Sequence, residues 1–255
     1  MSDRLNKFLA RAGVASRRKC DQLIREGRIW VNGELTTNPA FQVRKEDQVF
    51  YNGKRIVIEE NLTYLQFYKP RDCLTTLKDP RARRTIKDYF SGFPYRIFPA
   101  GRLDWESEGL LILTNDGNLT YFLTHPRFEV EKKYLAYVSG AIDQAQIDSL
   151  QQGIVWKDTS YHIRRGKILQ RKGDISVVEL VLTEGKKHEV RIMLDYLGYP
   201  VLRLIRNQMG PIKLDPGLLP GEWRFLTPEE LTRLQQMMKN KEKGEMAGRI
   251  EKDDR

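Results

Sequence analysis

Apolar positions at the start of the chain recur at helical spacing. Leu5, Phe8, Leu9 and Ala12 lie three or four residues apart and predict an amphipathic helix that Gly13 ends. A second helix is predicted from Arg17 to Glu26, because Ser16 is a suitable N-cap residue and Gly27 a suitable stop. The chain therefore begins with two short helices.

Short strands with tight-turn signals follow these helices. The strand Ile29-Trp30-Val31 runs into Asn32-Gly33, a pair typical of two-residue hairpin turns. Another strand is predicted at 48–51, and a second Asn-Gly pair follows it. Residues 1 to about 58 are thus predicted to form a small unit of two helices and a hairpin-rich sheet.

The rest of the chain predicts many short strands and few helices. Strands are predicted at 64–68, 110–113, 132–138, 163–169, 176–182 and 201–205. Helices are predicted at 118–124, 142–150, 189–197 and from Pro228 onward, with Thr227 as the N-cap of the last. Because strands and helices do not alternate regularly, the pattern predicts an α+β fold and not a doubly wound α/β fold.

Two changes in composition mark domain boundaries. Residues 59–63 are short and polar and predict a linker, and from Lys239 the sequence is charged and has no apolar period. We therefore predict an N-terminal domain at 1–60, a second domain at 64–238 and a disordered tail at 239–255.

Positive charge is concentrated at the start of the chain. The protein has 44 Lys and Arg against 34 Asp and Glu, a net charge of +10, and residues 1–58 contribute +6 of it. Such a balance favours a nucleic-acid partner, although it is also compatible with solubility alone. The predicted phosphate-binding residues of this part are Arg4, Lys7, Arg11, Arg17, Arg18, Lys19 and Arg28.

A second basic cluster lies in the predicted loop between 75 and 87. Its arginines are Arg81, Arg83 and Arg84, and Pro80 prevents an early helix. The cluster is either a further RNA contact or a loop that is merely soluble.

Several function classes find no support. The 2 cysteines and 3 histidines lie in no metal-like or disulfide-like spacing, so we predict neither a zinc site nor a disulfide framework. The cysteine usage favours a reducing cytoplasm. No apolar run reaches the roughly 20 residues that span a bilayer, and the N-terminus lacks the apolar core of a secretory signal.

The segment Ala100–Gly117 is the leading candidate for chemistry. Arg102 and Asp104 lie two residues apart in a turn beside the apolar run Leu110–Leu113, an unusual composition for a plain loop. The chain has no GxxxxGK loop, no Ser between glycines and no Cys near a His, so acid–base or carboxylate-nucleophile chemistry on Asp104 remains.

One competing hypothesis uses the other carboxylates of this segment. Asp104 with Glu106, Glu108 and Asp116 could form the metal site of a phosphodiesterase. We instead interpret the latter three as solvated turn residues.

The N-terminal residues resemble the alpha-L RNA-binding module, which takes its name from a small-subunit ribosomal protein. The matching blocks are Arg4-Leu5-Asn6-Lys7-Phe8-Leu9-Ala10, Gly13-Val14-Ala15-Ser16-Arg17-Arg18 and Gly27-Arg28-Ile29-Trp30-Val31-Asn32-Gly33. The resemblance implies a small α/β domain that docks RNA and is not itself catalytic.

The second domain resembles the RsuA/RluB family of ribosomal RNA pseudouridine synthases over roughly residues 64 to 230. The blocks that carry this resemblance are Tyr68-Lys69-Pro70, Gly101-Arg102-Leu103-Asp104, Thr114-Asn115-Asp116-Gly117, Glu131-Lys132-Lys133-Tyr134 and Glu184-Gly185-Lys186-Lys187-His188-Glu189-Val190-Arg191. It implies a mixed, mostly antiparallel sheet and the isomerisation of uridine to pseudouridine in ribosomal RNA. Residues around 79–85 and 129–131 favour the RluB-like branch, hence large-subunit (23S) ribosomal RNA.

The resemblance also implies roles for individual residues. Asp104 becomes the catalytic aspartate, Tyr134 the active-site tyrosine near the target base, and Arg191 the basic partner of the aspartate. Arg102 is then left to hold the flipped nucleotide. Glu189 and Ile192 depart from the residues that the family often has there, Gln and Arg.

The reaction neither oxidises the substrate nor releases a product, so we expect no cofactor and no metal. We further expect a monomer without a membrane partner. The alternatives are a small-subunit target and a non-catalytic RNA-binding factor of ribosome assembly.

Overall fold

The chain divides into two units. A computed structural model describes residues 2–58 and 61–253, with side chains as far as Lys241. The smaller unit contains residues up to Thr63 together with Phe93–Ile97 and Asn115–Gly117, and the larger unit contains the remainder. The predicted linker falls partly on residues 59 and 60, which lie outside the described residues, and the predicted domain bounds stay predictions.

The smaller unit contains the two helices and the hairpins that the apolar pattern predicts. Its elements are β1 (Asp3–Arg4), α1 (Leu5–Arg11), α2 (Arg17–Arg25), β2 (Ile29–Val31), β3 (Glu34–Thr36), β4 (Gln42–Val43), β5 (Val49–Tyr51) and β6 (Lys54–Ile56). The hydroxyl of Ser16 caps α2 by accepting from the Lys19 amide at 3.3 Å. Strand order is β3-β2-β5-β6, with β1 paired to β4.

Tight turns and one apolar core hold this unit together. The two residues of the Asn32-Gly33 turn have φ of 53° and 85°, the left-handed values that such hairpin turns require. The core is formed by Leu5, Leu9, Cys20, Leu23, Ile24, Ile29, Val31, Val43 and Val49. Both cysteines of the chain, Cys20 and Cys73, are buried and unpaired.

The larger unit is built on one mixed sheet. Its strands are β7 (Tyr64–Lys69), β8 (Phe98–Pro99), β9 (Glu108–Thr114), β10 (Lys132–Ser139), β11 (Ile154–Trp156), β12 (Thr159–Tyr161), β13 (Arg165–Lys172), β14 (Ile175–Leu182), β15 (Val201–Met209), β16 (Ile212–Lys213) and β17 (Trp223–Phe225). The main order is β13-β14-β10-β15-β9-β7-β17, and β11 and β12 form a separate hairpin. All pairings in the main sheet are antiparallel except that of β15 with β9, so the predicted α+β class with a mostly antiparallel sheet is confirmed.

Helices of the larger unit cover the sheet. They are α3 (Gly117–Thr124), α4 (Gln144–Ser149), α5 (Glu189–Tyr196), α6 (Pro228–Asp253) and two 3₁₀ helices (Ile86–Phe90 and Pro126–Phe128). One core cluster lies under α4 and α5, and another lies under α3 and the start of α6. No helix among the described residues is long and apolar enough to cross a membrane.

The last helix extends beyond the predicted end of the domain. Disorder is predicted from residue 239, whereas the backbone of α6 is helical to Asp253. Lys, Glu, Met, Ala and Arg dominate this stretch and are good helix formers, so a helical backbone needs no apolar period there.

The parallel pairing of β9 with β15 depends on a glycine. Gly109 has φ of +106°, and a Cβ built there would lie 2.4 Å from the carbonyl oxygen of Arg206. Only glycine lets β9 and β15 approach so closely, and this contact lies directly after the segment that carries Asp104.

Candidate active site

The loop that carries Asp104 connects β8 to β9, and its backbone is fastened on both sides of that residue. The hydroxyl of Thr75 donates to the Leu103 carbonyl at 2.6 Å and accepts from the Leu103 amide at 3.1 Å. The Asp72 amide donates to the Trp105 carbonyl at 2.9 Å. The position of the Asp104 main chain is therefore set by residues of the segment after β7.

A buried lysine reinforces the same loop. Lys69 ends β7, is fully buried, and donates from Nζ to the carbonyls of Pro70, Asp104 and Ser107 at 2.9, 3.1 and 2.8 Å. Burial lowers the pKa of Lys69 to about 8, and the nearby carboxylates of Asp104 and Asp72 offset part of that decrease. All three N–H groups of the Lys69 ammonium thus donate to backbone carbonyls in or next to the Asp104 loop.

Asp104 and Tyr134 face one cavity of about 240 Å³. Its lining residues are Arg102, Leu103, Asp104, Ser107, Tyr134, Leu182, Gly185, Lys186, Lys187, His188, Glu189, Val190 and Leu204. Four segments far apart in sequence supply them: the Asp104 loop, β10, the stretch from the end of β14 to the first residues of α5, and β15. The structure thus brings together Asp104, Tyr134 and Arg102 of the predicted site residues.

The carboxylate of Asp104 is lightly held. About a third of it is exposed, and Oδ2 lies 3.4 Å from Nδ1 of His188. His188 precedes α5 and has a left-handed backbone, φ 54° and ψ 22°, a conformation in which histidine is enriched. This bend directs the imidazole toward Asp104.

Arg191 does not pair with Asp104 as expected. Its guanidinium donates to the carbonyls of Val201 and Glu106 at 3.0 and 3.3 Å and lies 3.8 Å from the Glu106 carboxylate. Among the described residues, the basic side chain within ion-pair distance of Asp104 is that of His188. Because α5 starts at Glu189, Arg191 lies on its first turn and reaches the backbone of the Asp104 loop.

Glu108 is a buried structural carboxylate and not a solvated turn residue. Its side chain is 5% exposed and accepts from Nε and NH2 of Arg203 at 2.6 and 3.2 Å. Tyr68 donates to it at 3.4 Å, and burial together with this negative charge raises the pKa of Tyr68. Within the described residues, no group of three or more His, Cys, Asp or Glu could hold a metal ion.

Glu189 also lines the cavity from a buried position. Its Oε2 accepts from the Lys186 amide at 3.0 Å, while Oε1 is buried and has no hydrogen-bond partner among the described residues. Burial raises the pKa of Glu189 to about 7. Nearby Lys132 donates to the carbonyls of Val130 and Thr183, both at 3.1 Å, and burial lowers its pKa to about 8.

Known proteins resemble this chain along most of its length. A family model described as RNA pseudouridylate synthase matches residues 63–196. The ribosomal large subunit pseudouridine synthase B of Bacillus subtilis is 38% identical over 234 residues, 91% of this chain and 95% of that protein. The chain belongs to the RNA pseudouridylate synthase family. It is therefore an RNA pseudouridine synthase, as the resemblance of its second domain implies.

Further relatives agree with the family. An uncharacterized RNA pseudouridine synthase of Aquifex aeolicus is 42% identical and covers 92% of this chain and 94% of its own. A crystal structure described as that of a pseudouridylate synthase matches with a TM-score of 0.65 at 29% identity, covering 91% of this chain and 99% of that chain. The S4 domain model matches residues 3–49, so the expected RNA-binding module is confirmed.

The predicted RNA-binding residues of the S4 domain are all at least partly exposed, but some already have partners. Asp3 pairs with both Lys7, at 2.9 Å, and Arg11. Arg28 donates to Asn52 at 3.1 Å. The exposed residues are Arg4, Arg11, Arg17, Arg18, Lys19 and Arg28, whereas Lys7 is half-buried.

The second basic cluster is similarly divided. Arg83 makes a two-point contact with Asp79, at 3.1 and 2.9 Å, and the Arg84 guanidinium lies 5.7 Å from the centre of the Tyr89 ring. Arg81 is exposed. These three residues and Arg102 stay predictions as RNA contacts.

The buried polar residues of the site were not among the residues predicted from the sequence. Lys69 ends the run Tyr64–Tyr68, and Glu108 precedes the run Leu110–Leu113. A charged residue that continues a buried strand must have a partner, and that is the signal that could have found both residues.

Proposed function

We propose that this enzyme converts a specific uridine of large-subunit (23S) ribosomal RNA to pseudouridine. The observation that carries the proposal is that Asp104 and Tyr134 line the same cavity in a member of the pseudouridylate synthase family. The choice of RNA follows the Bacillus subtilis relative, which is named for the ribosomal large subunit. The S4 domain would add affinity for the RNA backbone.

Asp104 starts the reaction in this proposal. The N-glycosidic bond breaks, the detached uracil turns, C5 bonds to the ribose, and the C5 proton is lost while N1 gains one. The carboxylate either attacks the nucleoside or removes a proton from its ribose. Its partial exposure beside an open cavity gives a flipped nucleotide access to it.

Tyr134, Arg191 and Arg102 have supporting roles in the proposal. Tyr134 offers an aromatic face with one polar tip, which suits contact with uracil. Arg191 acts through the backbone of the Asp104 loop, which it grips at the Glu106 carbonyl, and not on the carboxylate itself. Arg102 is exposed at the cavity and is placed to contact the nucleotide that enters it.

The decisive experiment maps pseudouridine after the enzyme acts on unmodified ribosomal RNA. We expect one new site in 23S RNA from the wild type, none from Asp104→Asn, and an undiminished yield from Asp174→Asn, a change at an exposed turn. A new site in 16S RNA would contradict the large-subunit target. No new pseudouridine in either RNA would overturn the proposal and favour a non-catalytic assembly factor.

A chelator arm tests the expected independence from metal. Activity that survives chelation and gel filtration supports a metal-free reaction, and the eluted molecular mass tests the predicted monomer. Ribosomal RNA as substrate would place the enzyme in the cytoplasm, where ribosomes are assembled.

A further inference from the structure

A hairpin that the apolar pattern did not predict projects beside the cavity. It consists of β11 and β12, in which Val155 pairs with Ser160 and Trp156 with Thr159. Lys157 and Asp158 form its turn, with φ of 47° and 61°. At the base, Ile154 and Tyr161 are buried in the core cluster under α4 and α5. The hairpin is therefore firmly rooted although only two strands form it.

The tip of this hairpin exposes large apolar side chains. Val155 is 70% exposed and Trp156 is 42% exposed. Neighbouring residues of a strand point to opposite sides, so neither side of the tip is covered within the described part of the chain. Exposed apolar groups next to a functional site are typical of a binding surface.

A direct contact connects the hairpin to the cavity. Nζ of Lys186 donates to the Ser160 carbonyl at 2.7 Å and lies 5.7 Å from the centre of the Tyr161 ring. Lys186 and its neighbour Lys187 both line the cavity. Since Ser160 pairs with Val155, the exposed tip begins next to the rim of the cavity.

We propose that Trp156 stacks on an unpaired nucleotide next to the target uridine. This inference rests on the proposed function, because an RNA whose uridine enters the cavity must cover the cavity rim. An indole face binds any base, with little loss of side-chain freedom. The ammonium of Lys157, 6.0 Å from the centre of the Trp156 ring, adds positive charge for a neighbouring phosphate.

A protein partner fits this surface less well. A stable protein interface buries about 800 Å² on each side, whereas the tip offers two apolar side chains beside charged ones. Lys157 and Lys187 instead match the charge of a polynucleotide, whereas Lys186 is paired with Glu184. One aromatic side chain with a basic surround is sufficient for one stacked base.

The test separates binding from catalysis. Each variant is combined with Asp104→Asn, so that the enzyme binds RNA without converting it. The dissociation constant for an unmodified 23S RNA fragment that contains the target uridine is then measured across salt concentrations. We expect Trp156→Ala to weaken binding roughly tenfold with an unchanged salt slope, because stacking releases no counterions. Trp156→Phe keeps an aromatic face and restores most of the affinity.

Controls make each outcome decisive. Leu169→Ala removes an apolar side chain of similar exposure, 47%, from β13 and leaves affinity unchanged. In the otherwise wild-type enzyme, Trp156→Ala raises KM and leaves kcat near its original value. If Trp156→Ala leaves the affinity for RNA unchanged, the stacking inference is wrong and the proposed function stands. The same conclusion follows if the variant binds naked RNA normally and only its binding to a ribosome-assembly particle is weakened. Absence of pseudouridine from the wild type overturns the proposed function and, with it, the stacking next to a target uridine.

Discussion

Two regions of the active site are held in opposite ways. The Asp104 carboxylate faces the cavity, is about a third exposed, and has one contact with a basic side chain, at 3.4 Å to Nδ1 of His188. Behind it, Lys69 is fully buried and spends three hydrogen bonds on the backbone of the same loop. The difference shows a division of labour: buried groups fix where the loop lies, and the reactive carboxylate remains available to a substrate.

The largest expected effect is the loss of activity on substitution of the exposed carboxylate of Asp104. Asp104→Asn should lower the rate of pseudouridine formation on the order of 10⁴-fold, the upper range for loss of a catalytic proton-transfer group. Its melting temperature should stay near that of the wild type, because one exposed contact is lost. Enzyme assays and thermal unfolding of the same preparation check both. A strongly lowered melting temperature would mean that Asp104 belongs to the framework.

Sequence reasoning found the exposed region better than the buried one. Asp104 and Tyr134 could be placed in one site because their blocks resemble those of a known family, and both line the cavity. The regular strands and helices followed from apolar periodicity and turn residues such as Asn32-Gly33. These signals are local, so a single sequence displays them.

The remainder depends on contacts between distant segments. Arg191 was expected at Asp104 but reaches the Glu106 backbone, because the bend at His188 decides which side chain faces the carboxylate. Glu108 and Lys69 are charged residues whose burial depends on partners elsewhere in the chain. The hairpin of β11 and β12 is too short to show a period.

The second prediction concerns the loss of the buried ammonium group of Lys69. Lys69→Met keeps an apolar side chain of similar length but leaves the carbonyls of Pro70, Asp104 and Ser107 without their donor. We expect a loss of about 3 kcal/mol in the free energy of unfolding, since each unsatisfied buried polar group costs about 1–3 kcal/mol. Activity should fall with it, because the loop loses its position. Lys167→Met, on an exposed strand, should change stability by less than about 0.5 kcal/mol.

A third prediction uses pH to test a buried carboxyl beside the cavity. Burial raises the pKa of Glu189 from its ordinary value of 4.5 to about 7, so the folded state holds a proton that the unfolded state loses between these values. Stability is therefore reduced as pH rises through that window, and the full penalty, up to about 3 kcal/mol, applies above pH 7.

Glu189→Gln removes this titration and can still accept from the Lys186 amide. We expect its advantage in melting temperature over the wild type to grow between pH 5 and pH 8. The matched change Glu34→Gln, at an exposed strand residue, should show no such growth. An advantage for Glu189→Gln that stayed constant with pH would contradict the burial argument.

The fourth prediction compares two arginine–glutamate ion pairs whose carboxylates differ in burial. Arg203 binds Glu108, which is 5% exposed, and Arg165 binds Glu131, which is 30% exposed, each through two hydrogen bonds. Arg203→Met should cost about 2 kcal/mol, because it leaves a buried carboxylate unpaired. Arg165→Met should cost less than about 1 kcal/mol, because Glu131 is more exposed and keeps Arg164 at 3.2 Å. Chemical denaturation measures both, and adding Glu108→Gln to Arg203→Met should recover part of the loss. Equal costs would show that burial of the partner does not matter here.

The smallest expected effect is on RNA binding and compares an ion-paired arginine with an unpaired one among the proposed RNA contacts. Arg83 is already engaged by Asp79, so contact with a phosphate would require it to leave a two-point ion pair, whereas Arg81 makes no ion pair among the described residues. Arg81→Ala should therefore weaken RNA binding roughly threefold and lower the salt slope by about one, and Arg83→Ala should do less. Binding measured across salt concentrations for both variants decides this. If Arg83→Ala had the larger effect, the ion pair with Asp79 would orient Arg83 toward the RNA. A side chain fixed by an ion pair would then contribute to RNA recognition as well as to the structure of its loop.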